Sequence, residues 1–126
     1  MINIYNSLMT IYALSTASGI SGLAVIRISG NSTKKIITRL IGSDIPKPRV
    51  ATLKKFKSSK TKELIDEGLL LWFPGPNSYT GEDMAELHVH GSKAVIDLLY
   101  KEISSNQNCR LAEPGEFTKI AFINNK

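Results

Sequence analysis

Three acid–base side chains stand at alternate positions of one short segment: Glu86, His88 and His90, separated by Leu87 and Val89. An extended chain puts all three on one face. A carboxylate and two imidazoles can ligate zinc or non-haem iron. The plainer reading is that each histidine is an ordinary hydrogen-bonding residue beside the loop at Gly91, with the two rings about 7 Å apart along the strand. Glu86 lies between Ala85 and Leu87, so its carboxylate, if buried, needs a cation or a ligand N–H. Arg27 poses the matching question inside the apolar run Leu23-Ala24-Val25-Ile26-Arg27-Ile28-Ser29. It can be a rim residue with a solvated head, a charged fork for a carboxylate or carbonyl ligand, or simply the partner of Glu86.

Two further stretches carry chemical potential. Pro74-Gly75-Pro76-Asn77-Ser78-Tyr79-Thr80-Gly81-Glu82-Asp83 is a long turn-rich loop, whose path is fixed by Pro and Gly and whose Asn, Ser and Thr can bond its own backbone. Such loops are either functional or structural Ω-like turns. Lys47, Arg49, Lys54, Lys55, Lys57, Lys60 and Lys62 form a basic stretch with no acid and one aromatic, Phe56. Single-strand nucleic-acid platforms interleave more aromatics, so a solvated, charge-guarded edge strand is the default reading. Neither G-x-x-x-x-G-K-S/T nor G-x-G-x-x-G occurs, which excludes those two nucleotide cradles.

The elements that must position these residues follow from periodicity. Residues 10–14 and 23–29 read as strands rich in Val, Ile and Leu, joined by a small-residue loop. A helix is expected over 32–41, capped by Asn31 or Ser32, striped by Ile36, Ile37, Leu40 and Ile41, and ended by Gly42. A basic strand is expected at about 49–56 and an exposed turn at 57–62. The run 68–73, GLLLWF, reads as a strand buried on both faces. Residues 84–90 alternate as a strand, and Ser92 can cap a helix over 93–104 with Val95, Leu98, Leu99 and Ile103 inward. A short last strand is possible at 109–112. Pro114 can open a third helix to about 123, with Phe117, Ile120, Ala121 and Ile123 inward. The interleaving favours one α+β domain over residues 1–126: a mixed sheet of about five strands packed with about three helices.

The 126 residues suffice for one domain with a real core. A single Cys, Cys109, excludes an intrachain disulfide and a Cys-rich zinc site. No apolar run reaches the ~18 residues of a membrane span, and the first ten residues lack a secretory pattern. No membrane association and a cytoplasmic location are the expectations. Of 16 basic and 11 acidic residues, residues 1–62 hold eleven and one, and residues 63–126 hold five and ten. That asymmetry suits nucleic acid, an anionic ligand or self-association.

Three blocks carry a resemblance. The first runs from Thr10-Ile11-Tyr12-Ala13 through Gly19 to Val25-Ile26-Arg27-Ile28-Ser29-Gly30. The second is Leu71-Trp72-Phe73 and the loop to Asp83, followed by Glu86-Leu87 and His90-Gly91. The third is Arg110-Leu111-Ala112-Glu113-Pro114-Gly115-Glu116-Phe117-Thr118 with Ala121-Phe122 and Asn124. In this order and spacing they resemble the N-terminal region of the bacterial tRNA-modifying GTPase family known as MnmE or TrmE. The resemblance covers nearly the whole chain.

The resemblance implies an α/β unit similar to the folate-binding domain of the glycine-cleavage T-protein, which binds 5-formyltetrahydrofolate and forms a homodimer. It implies folate contacts at Arg27, Glu86 and Lys126, and no catalytic or metal residues. In that family GTP, Mg and K belong to a GTPase domain beyond this region, so this chain, with no GTP-binding motif, is not expected to be catalytic alone. With a flavoprotein of the MnmG (GidA) type, the full protein modifies the wobble uridine of certain tRNAs by a carboxymethylaminomethyl-type reaction. The ending at Asn124-Asn125-Lys126 then fits the first domain of a longer chain. Two positions depart from the family pattern. Gly19-Ile20-Ser21-Gly22 stands where Gly-Arg-Gly-Gly is usual, and His88-Val89 stands where Gln and Gly are frequent. The alternative function is a basic tRNA-binding module without folate chemistry.

Overall fold

The computed structural model describes residues 9–15 and 22–126. The first-loop departure at residues 19–21 therefore lies outside the described residues. Among the described residues six strands form one sheet: β1 (Thr10–Leu14), β2 (Leu23–Ser29), β3 (Thr52–Lys57), β4 (Leu64–Phe73), β5 (Met84–His90) and β6 (Cys109–Leu111). Their order is β3-β4-β5-β2-β1-β6. All pairings are antiparallel except β1 with β6, which is parallel. Three helices accompany them among the described residues: α1 (Thr33–Ile41), α2 (Lys93–Ser104) and α3 (Glu116–Ile123). The α+β class stands as expected. The count of about five strands becomes six, because the three-residue β6 pairs with the edge of β1 through Thr10–Cys109, Ile11–Arg110 and Tyr12–Leu111.

Alternation sorts each strand into two faces. Ala24, Ile26 and Ile28 of β2, Leu70 of β4 and Ala85, Leu87 and Val89 of β5 join Ile36, Ile37 and Leu40 of α1 and Leu99 and Ile103 of α2 in the core. The stripe expected on α1 is buried in full, and Gly42 ends the helix in the left-handed region at φ 69°. Ser32 precedes α1 but makes no capping bond with its side chain; its N–H instead donates to Thr10 Oγ1 at 2.9 Å. Ser92 caps α2 as expected, accepting from Val95 N–H at 3.1 Å. Leu98, expected inward, is exposed, because it lies on the flank of α2 beside the β3–β4 turn.

Two strand expectations are corrected. β3 begins at Thr52 rather than 49, and Lys57 closes it instead of opening the turn. The turn itself is clasped by Ser58 N–H to Glu63 C=O at 2.9 Å. β4 begins at Leu64, and its GLLLWF run is fully buried on one face, at Leu70, whereas on the other Leu71 and Phe73 are half-buried and Leu69 is 40% exposed. Helices α1 and α2 cover one side of the sheet. The other side carries α3 and the 74–83 loop over part of its area and leaves Leu53, Leu69 and Leu23 open to solvent.

α3 starts at Glu116, two residues later than Pro114 suggested, after Gly115 turns the chain at φ 74°. Ile120 and Ala121 are buried as expected, but Ile123 is exposed. The Glu116 carboxylate is buried and accepts from Arg110 Nη1 at 2.9 Å and Nη2 at 2.5 Å, and from Glu113 N–H at 2.8 Å. This bidentate pair ties β6 to the first turn of α3, where negative charge is favourable. Cys109 sits half-buried in β6, and burial pushes its thiol up to about 11. The thiolate is the nucleophile, so Cys109 should resist alkylation at neutral pH and react at the rate of an ordinary thiol only after unfolding. Iodoacetamide labelling with and without denaturant, read by mass spectrometry, checks this.

Candidate functional site

The antiparallel register of β2 and β5 places Arg27 directly opposite Glu86. Both point away from the α1/α2 core because their neighbours Ile26, Ile28, Ala85 and Leu87 fill it. Arg27 Nη2 donates to Glu86 Oε2 at 3.2 Å. His88 Nε2 lies 3.1 Å from Glu86 Oε1. The sequence left open whether Arg27 and Glu86 pair with each other, and they do. The pair is partly open, with side-chain exposures of 27% and 21%.

Two aromatic rings lie against the Arg27 guanidinium. Its Cζ is 5.5 Å from the Tyr79 ring centroid and 5.7 Å from that of Phe117, within cation–π range. Arg27 Nε is buried and has no hydrogen-bond partner among the described residues. A buried N–H without an acceptor costs about 1–3 kcal/mol, and here it is an unspent donor beside a partly open carboxylate. Tyr79 and Phe117 were not foreseen as neighbours of Arg27. Phe117 was expected inward on its helix, but periodicity does not say what a helix packs against.

The 74–83 loop is ordered by bonds to β2, α1 and α3. Ser29 Oγ donates to Glu82 Oε1 at 2.8 Å and lies 2.8 Å from Thr80 Oγ1. Gly30 N–H donates to Asp83 C=O at 2.9 Å, and Thr33 Oγ1 to the same oxygen at 3.1 Å. Tyr79 Oη lies 3.0 Å from Thr118 Oγ1. Burial raises the Glu82 carboxyl above its ordinary value, the Ser29 hydrogen bond opposes the rise, and neighbouring Asp83 adds to it. Gly30 is fixed by a close approach: at φ 139°, a Cβ there would lie 2.5 Å from Thr10 Oγ1.

Lys126 reaches this neighbourhood through the loop, not by touching the pair. Its Nζ donates to Pro76 C=O at 2.9 Å, and Asn124 Nδ2 donates to Thr80 C=O at 2.8 Å. Arg27 and Glu86 are thus brought into contact, and Lys126 is tied to the loop that carries Tyr79.

The metal reading gains nothing from the geometry. His90 turns to Asp66, with Nδ1 2.9 Å from Oδ1, while His88 turns to Glu86. Among the described residues no three His, Cys, Asp or Glu side chains converge. Lys54, Lys55 and Lys57 lie on β3, an edge of the sheet, as a charge-guarded edge requires. No helix among the described residues is long and apolar enough to cross a membrane.

Residues 10–126 match the family model described as the GTP-binding protein TrmE N-terminus. The chain is 65% identical over 118 residues to a tRNA modification GTPase MnmE of Pelagibacter ubique, covering 94% of this chain and 27% of that protein. It is 51% identical to the MnmE of Brucella anthropi, covering 93% of this chain and 26% of that one. It is also 48% identical to a mitochondrial 5-taurinomethyluridine-tRNA synthase subunit of Danio rerio, covering 93% and 23%. The chain spans about a quarter of the length of these curated relatives. With a family model matched from strand β1 to the last residue, the chain belongs to the TrmE N-terminal family of tRNA modification GTPases.

Proposed function

We propose that this chain is a 5-formyltetrahydrofolate-binding and homodimerisation domain, and that the whole protein modifies the wobble uridine of tRNA in the carboxymethylaminomethyl manner. The observation that carries the folate reading is the unpartnered, buried Nε–H of Arg27 beside the partly open Glu86 carboxylate. The residues fit a reduced folate chemically. A carboxylate suits the paired N–H donors of an amino-pyrimidinone edge. The Arg27 donor suits a ligand carbonyl, Tyr79 and Phe117 offer aromatic faces, and the Lys126 ammonium suits an anionic group. When bound, the folate would carry a one-carbon unit; this chain's side chains orient it. GTP hydrolysis with Mg and K, the MnmG (GidA)-type flavoprotein and tRNA belong to the whole protein in the cytoplasm.

Titration calorimetry of the 126-residue chain with 5-formyltetrahydrofolate tests the reading. Saturable heat at one ligand per chain is expected; no saturation by a folded sample overturns it.

Support for self-association comes from the open sheet face. Leu53 and Leu69 are register partners and are 62% and 40% exposed. Adjacent exposed apolar residues on a sheet mark an association surface. The wild-type chain should sediment as a dimer, and the Leu53→Glu/Leu69→Glu variant as a folded monomer. A variant that remains dimeric would place the interface elsewhere.

A further inference from the structure

The helical face, opposite Arg27 and Glu86, carries a groove that the folate reading does not use. Two clefts meet there. One, of about 480 Å³, lies between α2 and the β3–β4 turn; the other, of about 390 Å³, lies between α1 and the 105–108 turn. They share Arg39 and Ser105. Four cations line them, Lys35 and Arg39 from α1, Lys60 from the turn and Lys101 from α2, against two acids, Glu63 and Glu102. Glu102 is already committed, since its Oε2 accepts Ser59 N–H at 3.1 Å. Arg39 is held where the clefts join, donating from Nη1 to Asn106 Oδ1 at 2.7 Å and from Nη2 to Ser59 Oγ at 3.2 Å. Most of the remaining lining is hydroxyl and amide side chains, Leu64, Ile65 and Leu98 form an apolar strip in the larger cleft, and among the described residues no aromatic side chain lines it.

We propose that this groove, centred on Arg39, binds the sugar–phosphate backbone of a double-helical RNA stem. Phosphates are met by Lys and Arg without regard to sequence. A-form stems are recognised by phosphate and 2′-hydroxyl contacts, for which Ser, Thr, Asn and Gln are suited. Single strands are bound by stacking bases on aromatic rings, and the described lining of this groove offers none. The basic edge Lys54, Lys55 and Lys57 is not part of it; the helices supply Arg39 and Lys101 instead. The choice of RNA as the polyanion rests on the tRNA-modification reading, whereas the groove itself is independent of the folate site.

The test is fluorescence anisotropy of the chain with an RNA hairpin stem of about 12 base pairs and with an unstructured oligouridine of equal length. At about 50 mM salt the stem should bind and oligouridine should bind more weakly. Affinity for the stem should fall steeply by about 200 mM salt. The Lys35→Glu/Lys60→Glu/Lys101→Glu variant should lose ~30-fold or more and flatten the salt slope by about three, with 5-formyltetrahydrofolate titration unchanged. Lys54→Glu/Lys55→Glu should leave stem binding within ~3-fold of wild type. Absence of stem binding at low salt, an unaffected triple variant, or oligouridine binding as tight as the stem overturns the proposal. A chain that takes up folate but not the stem sinks this inference alone; one that binds the stem but not folate sinks the folate reading alone.

Discussion

Replacing Glu86 by alanine should weaken 5-formyltetrahydrofolate binding by ~100-fold or more. The Glu86 side chain is 21% exposed and uses one oxygen toward Arg27 and the other toward His88. Each oxygen keeps a lone pair for a ligand N–H. Two charge-assisted hydrogen bonds lost together are worth about 3–4 kcal/mol, which is two to three powers of ten in affinity. The variant also strands the Arg27 guanidinium, whose Nε is already unpartnered, so the folded state should lose about 1–2 kcal/mol as well. Glu86→Gln keeps an acceptor and the shape, and should lose ~10-fold. Calorimetric titration combined with thermal melts separates the two effects. If Glu86→Ala binds folate like the wild type, the carboxylate is only a structural partner of Arg27.

The largest stability effect is expected at Glu116, a residue the folate reading does not use. Glu116→Ala should lower unfolding free energy by about 3 kcal/mol, read as a shifted urea midpoint with unchanged slope. The carboxylate is 3% exposed and satisfies three N–H donors from Arg110 and Glu113. Its removal leaves Arg110, with 30% of its side chain exposed, to be partly rescued by water, which keeps the cost at the lower end for a broken buried pair. Arg110→Leu/Glu116→Leu should recover much of the loss, because no charge is then left buried without a partner. A cost below about 0.5 kcal/mol for Glu116→Ala would show that the pair is an exposed surface bridge in solution.

What the sequence made legible follows from periodicity. α1 and α2 could be read because a helical stripe ends at a glycine in one and begins at a capping serine in the other. Arg27 and Glu86 could be singled out because each is a charge inside an apolar alternation, and register then set them face to face. The GLLLWF run misled, because a continuous apolar stretch fits both a strand covered on two sides and one whose second face is left open. β6 is too short for alternation to declare itself. Tyr79 and Phe117 beside Arg27, and Lys126 against Pro76, come from how a loop and a helix dock on the sheet. No local pattern encodes that docking. The groove at Arg39 was hidden for the same reason, since its cations come from residues 35, 39, 60 and 101.

The sheet register has one more consequence, which concerns His88. Across the strands, Leu53, Leu69, His88 and Val25 form one row, and Leu71, Glu86, Arg27 and Ala13 form another, two residues along each shared strand. His88 stands in the row with the exposed leucines, yet its ring bonds the glutamate of the other. A protomer seated on Leu53 and Leu69 would bear on the imidazole that holds Glu86 Oε1. Binding linkage is reciprocal: if pairing alters folate affinity by some factor, folate alters pairing by the same factor. The coupling between folate binding and pairing would then be one free energy that either titration measures, with His88 standing where the two surfaces meet.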